Sequence, residues 1–186
     1  VVAEESPVRR LVREFSGNWL AVGGFVVFVL LVLLAVCASW ITPQNPYDLA
    51  QISIMDGRLP PGSVSDEGMH FWLGTDDQGR DMLSAIIYGL RISLGVGIGS
   101  ALVACVVGAA LGLVAAYAGR RTDGFIMRVV DLQLSFPSIL VALMILAFLG
   151  KSVMNVVLAL VLVEWAYYAR TARGSALAER RREYIE

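Results

Sequence analysis

The chemistry open to this chain rests on a few charged and kink-forming residues set among long apolar runs. Asp131 and Glu164 lie at the edge of, or inside, such runs. A carboxylate in lipid is costly unless it faces water, a counter-charge or a moving substrate, so both are pore or hinge candidates. Pro137 joins them, because a proline within a helix removes a backbone hydrogen bond and bends it. The last eighteen residues, ARTARGSALAERRREYIE, carry five arginines and three glutamates and read as helix. Arginines alone would suit anionic lipid head groups. Arg180 together with Glu183, Tyr184 and Glu186 would suit a protein groove, which reads shape and sign together.

Other chemistry is excluded. Lys151 follows Gly150, but Ile145 stands where a phosphate-binding loop needs its first glycine. There is no Gly-x-Ser-x-Gly, His-Glu-x-x-His or intramembrane Gly-x-Gly-Asp. The single histidine, His70, has no ligand partners at metal spacing, so no metal site is expected. Cys37 and Cys105 sit in apolar runs and read as buried thiols.

These groups must be positioned by membrane spans. The chain is 57% hydrophobic, only 17% charged, and has a mean hydropathy of +0.68. Its charges are clustered between apolar stretches, which is the pattern of a multi-span protein. The expected spans are residues 18–47 (most apolar over 19–41), 92–119, 132–150 and 152–169. Trp19 and Trp40 stand near the ends of the first, as interfacial aromatics do. A rival reading takes Arg9, Arg10 and Arg13 before an apolar core as a signal peptide, with LAVC as a lipoprotein box; the core is long for that, and more spans follow. Eleven arginines (9, 10, 13, 120, 121, 128, 170, 173, 180, 181 and 182) fall on one side of these spans. Arg58, Arg80, Arg91 and Lys151 fall on the other. The excess of positive charge puts the N-terminus and the last segment in the cytoplasm.

Outside, residues 56–68 read as loop. In LGTDDQGRDMLSAIIYGLRISL, Thr75 and Gln78 fit a capping box, and Asp76 and Asp77 favour a helix start. Met82, Leu83, Ile86, Ile87 and Leu90 then recur at helical spacing. The expectation is a short amphipathic helix on the outer surface that turns into span two. Span two repeats small residues four apart, at Gly95–Gly99, Ala104–Gly108 and Gly108–Gly112, which favours close helix packing. In span three, Pro137 predicts a kink, and Arg128 and Asp131 are spaced to pair. Glu164 lies one to two turns from the cytoplasmic end of span four.

Three stretches carry a family resemblance: LGTDDQGRDMLSAIIYGLRISL, AAYAGRRTDGFIMRVVDLQLSFP and WAYYARTARGSALAERRREYIE. They resemble permease subunits of binding-protein-dependent ABC importers, nearest the second permease of dipeptide, oligopeptide and nickel systems. The resemblance is strong over residues 70–186 and loose before them. Ala85 departs from it, since an arginine commonly follows the serine there. It implies an all-α, polytopic fold of the type I importer kind, with four of about six spans present. Residues 1–17 would be a cytoplasmic N-terminus, 18–69 the first span and outer loop, and 70–186 the start of the permease domain. It further implies that Arg180, Glu183, Tyr184 and Glu186 belong to a coupling helix that docks on the ATPase, with Glu186 opening a Glu-Ala-Ala motif at which the chain stops. Gly74, Thr75, Asp76, Gly79, Arg80 and Asp81 would form the outer-surface motif. The implied partners are a second permease, ATP-binding subunits, an extracytoplasmic binding protein and membrane lipids, with no nucleic acid. This chain would bind no cofactor; its partner would use ATP. The implied place is a bacterial or archaeal inner membrane. The competing classes are a secondary transporter or channel using Asp131 and Glu164, and a membrane scaffold without transport.

Overall fold

The computed structural model describes residues 7–180, and these are almost wholly helical. The chain divides into two compact units, Val1–Ser93 and Leu94–Glu186.

In the first unit, α1 (Pro7–Ser16) carries an exposed Arg10–Glu14 pair one turn apart, 2.8 Å long. Asn18 then starts α2 (Trp19–Val36) by accepting from the Leu20 and Ala21 amides, two of the helix's orphan donors. α2 is apolar on every side, which suits a helix solvated by lipid. A short α3 (Ala38–Ile41) continues it to Thr42. Arg91, from the helix that follows the lobe described next, donates to the Val36 carbonyl at 3.0 Å, filling one of the acceptors left open at the α2–α3 junction.

Residues 42–81 fold into a small lobe. It contains 3-10 turns at Leu49–Gln51 and Ile54–Asp56 and a two-stranded antiparallel hairpin, β1 (Ser63–Val64) with β2 (His70–Phe71). The hairpin lies in and beside the stretch expected to be loop, and Phe71 is its buried anchor. The capping box at Thr75 and Gln78 is not formed. The Thr75 hydroxyl instead donates to the Asp56 carbonyl and accepts from the Leu59 amide at 2.8 Å. Helix α4 begins only at Met82 and runs unbroken to Tyr117, about 54 Å. The separate surface helix is therefore the first turns of the span itself. The cap is Asp81: it is fully buried, and its Oδ2 accepts from the Ser84 amide at 2.8 Å and from the Ser84 hydroxyl.

In the second unit, α5 (Arg120–Ser135), α6 (Ser138–Leu149) and α7 (Val153–Glu179) follow the C-terminal part of α4. The span expected over 132–150 is broken rather than continuous. α5 and α6 meet at 89°, and α6 alone, about 18 Å long, is short of a hydrocarbon core of about 30 Å. Pro137 is not inside a helix. Phe136 before it is extended (φ −92°, ψ 141°), as a residue preceding proline prefers, and Pro137 caps α6, where its missing N–H costs no hydrogen bond. Among the described residues, three helices (α2, α4 and α7) are long and apolar enough to cross a membrane, with a fourth crossing if the bent α5–α6 pair is one span.

Candidate functional site

The second unit is organised around α7. Its buried residues, Ala159, Val163, Ala166, Ala169 and Ala176, recur at helical spacing and form one small-residue face. Gly108 and Gly112 of α4 meet that face. A Cβ on Gly108 would strike the Trp165 carbonyl and lie 2.6 Å from Tyr168 Cβ. One on Gly112 would strike the Ala169 carbonyl and lie 3.0 Å from Ala172 Cβ. The expected close packing of this pair is thus formed, whereas Gly95, Gly97 and Gly99 have nothing within 4 Å. Without a hydrophobic driving force between helices in lipid, such van der Waals contact is a main source of helix association.

α5 packs on the same helix. Val130 is fully buried against Ala166 and Ala169, with Ile126, Met127, Leu134 and Trp165 around it. Two ion pairs join the same two helices beside this seam. Arg173 holds Asp123 in a fork, its Nε donating to Oδ1 and one terminal nitrogen to Oδ2 at 2.6 Å; both side chains are about a quarter to a third exposed. Arg170 donates to Asp131, and both are more than half exposed. The expected Arg128–Asp131 pair is therefore replaced by one across helices. Arg180, the cap of α7, closes the set: its guanidinium donates to the Ala116 carbonyl at 2.6 Å and lies 5.2 Å from the centre of the Tyr117 ring. A cation there meets the negative end of α4.

The remaining candidates are distributed. Glu164 is exposed on α7, on the side away from its alanine face, with no hydrogen bond or ion pair among the described residues. Glu183, Tyr184 and Glu186 lie outside the described residues.

The motif at 74–81 is gathered in the lobe of the first unit, where it acts as a knot. Gly74 and Gly79 have φ of +78° and +80°, and a side chain on either would run into the Leu59 or Ser53 carbonyl. Asp76 accepts from the Gln78 and Arg80 amides at 2.8 and 3.0 Å, with the Arg80 guanidinium 3.5 Å away. The Asp81 amide donates to the buried Gln44 side chain at 2.7 Å. Asp123, Arg170, Arg173 and Gln44 were not singled out from the sequence. Their partners lie 37 to 50 residues away, and local spacing carries no signal for such pairs.

Three helices of membrane length and a bent pair broken at a proline define a polytopic helical membrane protein. The comparisons with known proteins agree. The family described as the inner membrane component of binding-protein-dependent transport systems matches residues 108–186, and the N-terminal transmembrane domain of oligopeptide transport permease C matches residues 6–61. The chain is 34% identical over 180 residues to the di/tripeptide transport system permease protein DppC of Pseudomonas aeruginosa, covering 97% of this chain and 58% of that protein. It is 39% identical over 180 residues to the dipeptide permease DppC of Escherichia coli, covering 97% and 59%. It is 37% identical over 181 residues to the glutathione permease GsiD of Pectobacterium atrosepticum, covering 97% and 58%. These matches place residues 108–186 in the inner-membrane component family of binding-protein-dependent transport systems. The chain spans less than two thirds of the length of these relatives.

Proposed function

We propose that this chain is part of a pore-forming permease subunit of an ATP-driven importer for peptides or related small substrates. A binding protein would deliver the substrate from outside, a second permease would complete the pore, and separate subunits would hydrolyse ATP, so that the permease itself catalyses no reaction. The observation that carries this reading is the family match over residues 108–186, the region in which α7 is gripped at its arginine-bearing end. The relatives named for dipeptides, di/tripeptides and glutathione favour the peptide class. The excess of arginine at that end favours a cytoplasmic N-terminus and C-terminal segment, with the lobe of residues 42–81 outside. Glu164, Tyr167 and Thr171 share an uncovered face of α7 at helical spacing and would turn toward the translocation path.

Orientation is tested with an impermeant maleimide on intact cells. In a Cys-less full-length protein, Glu67→Cys should label and Gly124→Cys should not; both positions are exposed. The reverse pattern would overturn the permease reading with the orientation. Docking is tested by a photo- or thiol-reactive probe at Tyr184→Cys, which should join the permease to the ATPase subunit. Charge reversal of Glu186 should leave insertion intact and cut ATP-driven uptake by about ten-fold, the scale on which losing a charge-assisted contact acts. If both changes left assembly and uptake unaltered, and only arginine substitutions mattered, the segment would be a lipid anchor.

A further inference from the structure

We propose that Asp123 and Asp131 are positioning residues which, through Arg173 and Arg170, make α5 follow α7, so that displacement of the arginine-bearing end of α7 reaches the break at Ser135–Ser138. The inference rests on the permease reading above for the source of that displacement, but its geometry stands apart from it. One ion pair between two helices leaves them free to pivot about the contact. Here there are two, and they engage α5 at positions eight residues apart, about 12 Å along its axis. On α5, Val130 lies between them and packs on Ala166 and Ala169, which precede both arginines on α7. Two anchored points on α5, next to packed small side chains on α7, oppose both sliding and pivoting.

The two pairs differ in kind. Asp123–Arg173 is forked and partly shielded, with two parallel hydrogen bonds that fix the orientation of the guanidinium. Asp131–Arg170 is more exposed and has one hydrogen bond. The first therefore sets the register, and the second limits rotation. α5 then ends at Ser135, and the chain turns by 89° into α6. A rigid α5 delivers motion to that corner; a loose one would absorb it. Arg180 on the Ala116 carbonyl and the Tyr117 ring ties the same end of α7 to the end of α4, so α7 cannot be displaced without loading both neighbours.

The test uses the full-length permease in its reconstituted complex and reads substrate taken up per ATP hydrolysed, with co-purified ATPase measured alongside. Asp123→Asn and Arg173→Gln should each lower that ratio by about five-fold, within the range by which network substitutions modulate coupling, while ATPase co-purification stays at the wild-type level. The reciprocal exchange D123R with R173D should recover most of the loss, because it restores the pair with its sign reversed. Asp131→Asn should act in the same direction more weakly. A purely structural role predicts instead a proportional loss of assembled complex with the ratio unchanged. Normal ratios in both single variants, or no recovery in the exchange, would overturn the proposal. Failure of the wild-type chain to co-purify with any ATPase would instead overturn the permease reading, and the two failures are read in separate lanes of one experiment.

Discussion

Gly108→Val is expected to be among the most damaging single substitutions in the described chain. The new side chain would occupy space already filled by the Trp165 carbonyl and Tyr168 Cβ. A flexible neighbour could yield, but a helical carbonyl moves only with its helix. Overpacking typically costs about 1–3 kcal/mol, and an obstacle made of backbone belongs at the upper end. The full-length protein in detergent should lose about 3 kcal/mol of stability in reversible unfolding, with α4 and α7 separating first. Gly97→Val provides the control, since nothing lies within 4 Å of its Cβ position. Equal destabilisation by the two variants would show that contact with α7 is not what requires glycine at 108.

Asp81→Ala should have the second largest effect, confined to the lobe and the start of α4. Asp81 is fully buried, and its carboxylate holds both the amide and the hydroxyl of Ser84, itself fully buried. Loss of an N-cap costs about 1 kcal/mol, and a buried hydroxyl left without its partner costs about 1–3 kcal/mol more. Hydrogen exchange at Ser84 and Ala85, and proteolysis within residues 42–81, should therefore accelerate by one to two orders of magnitude, about 2–3 kcal/mol. Asp81→Asn should retain most of the protection, because asparagine caps nearly as well. If alanine and asparagine behaved alike, the cap would not be what holds the lobe to α4.

The sequence alone determined that this is a multi-span membrane protein and where most of its membrane-length helices lie. Those properties follow from local quantities: the length of apolar runs, the clustering of charge, and small residues four apart, as at Gly108 and Gly112. It also marked Pro137 as a point of change, because proline restricts its own backbone and that of the residue before it. Whether the outcome was a kink within one helix or an 89° corner between two was decided by tertiary packing, with α5 and α6 each packed on α7 from either side of the corner. The start of α4 was misplaced by six residues for a related reason. Thr75 has the capping chemistry, but its hydroxyl is taken by Asp56 and Leu59, and Asp81 caps in its place. Asp131 looked ready to pair with Arg128 within one helix, yet it meets Arg170 across two. In each case several polar partners were chemically equivalent along the chain. Only the fold, by bringing together residues far apart in sequence, decided which of them met.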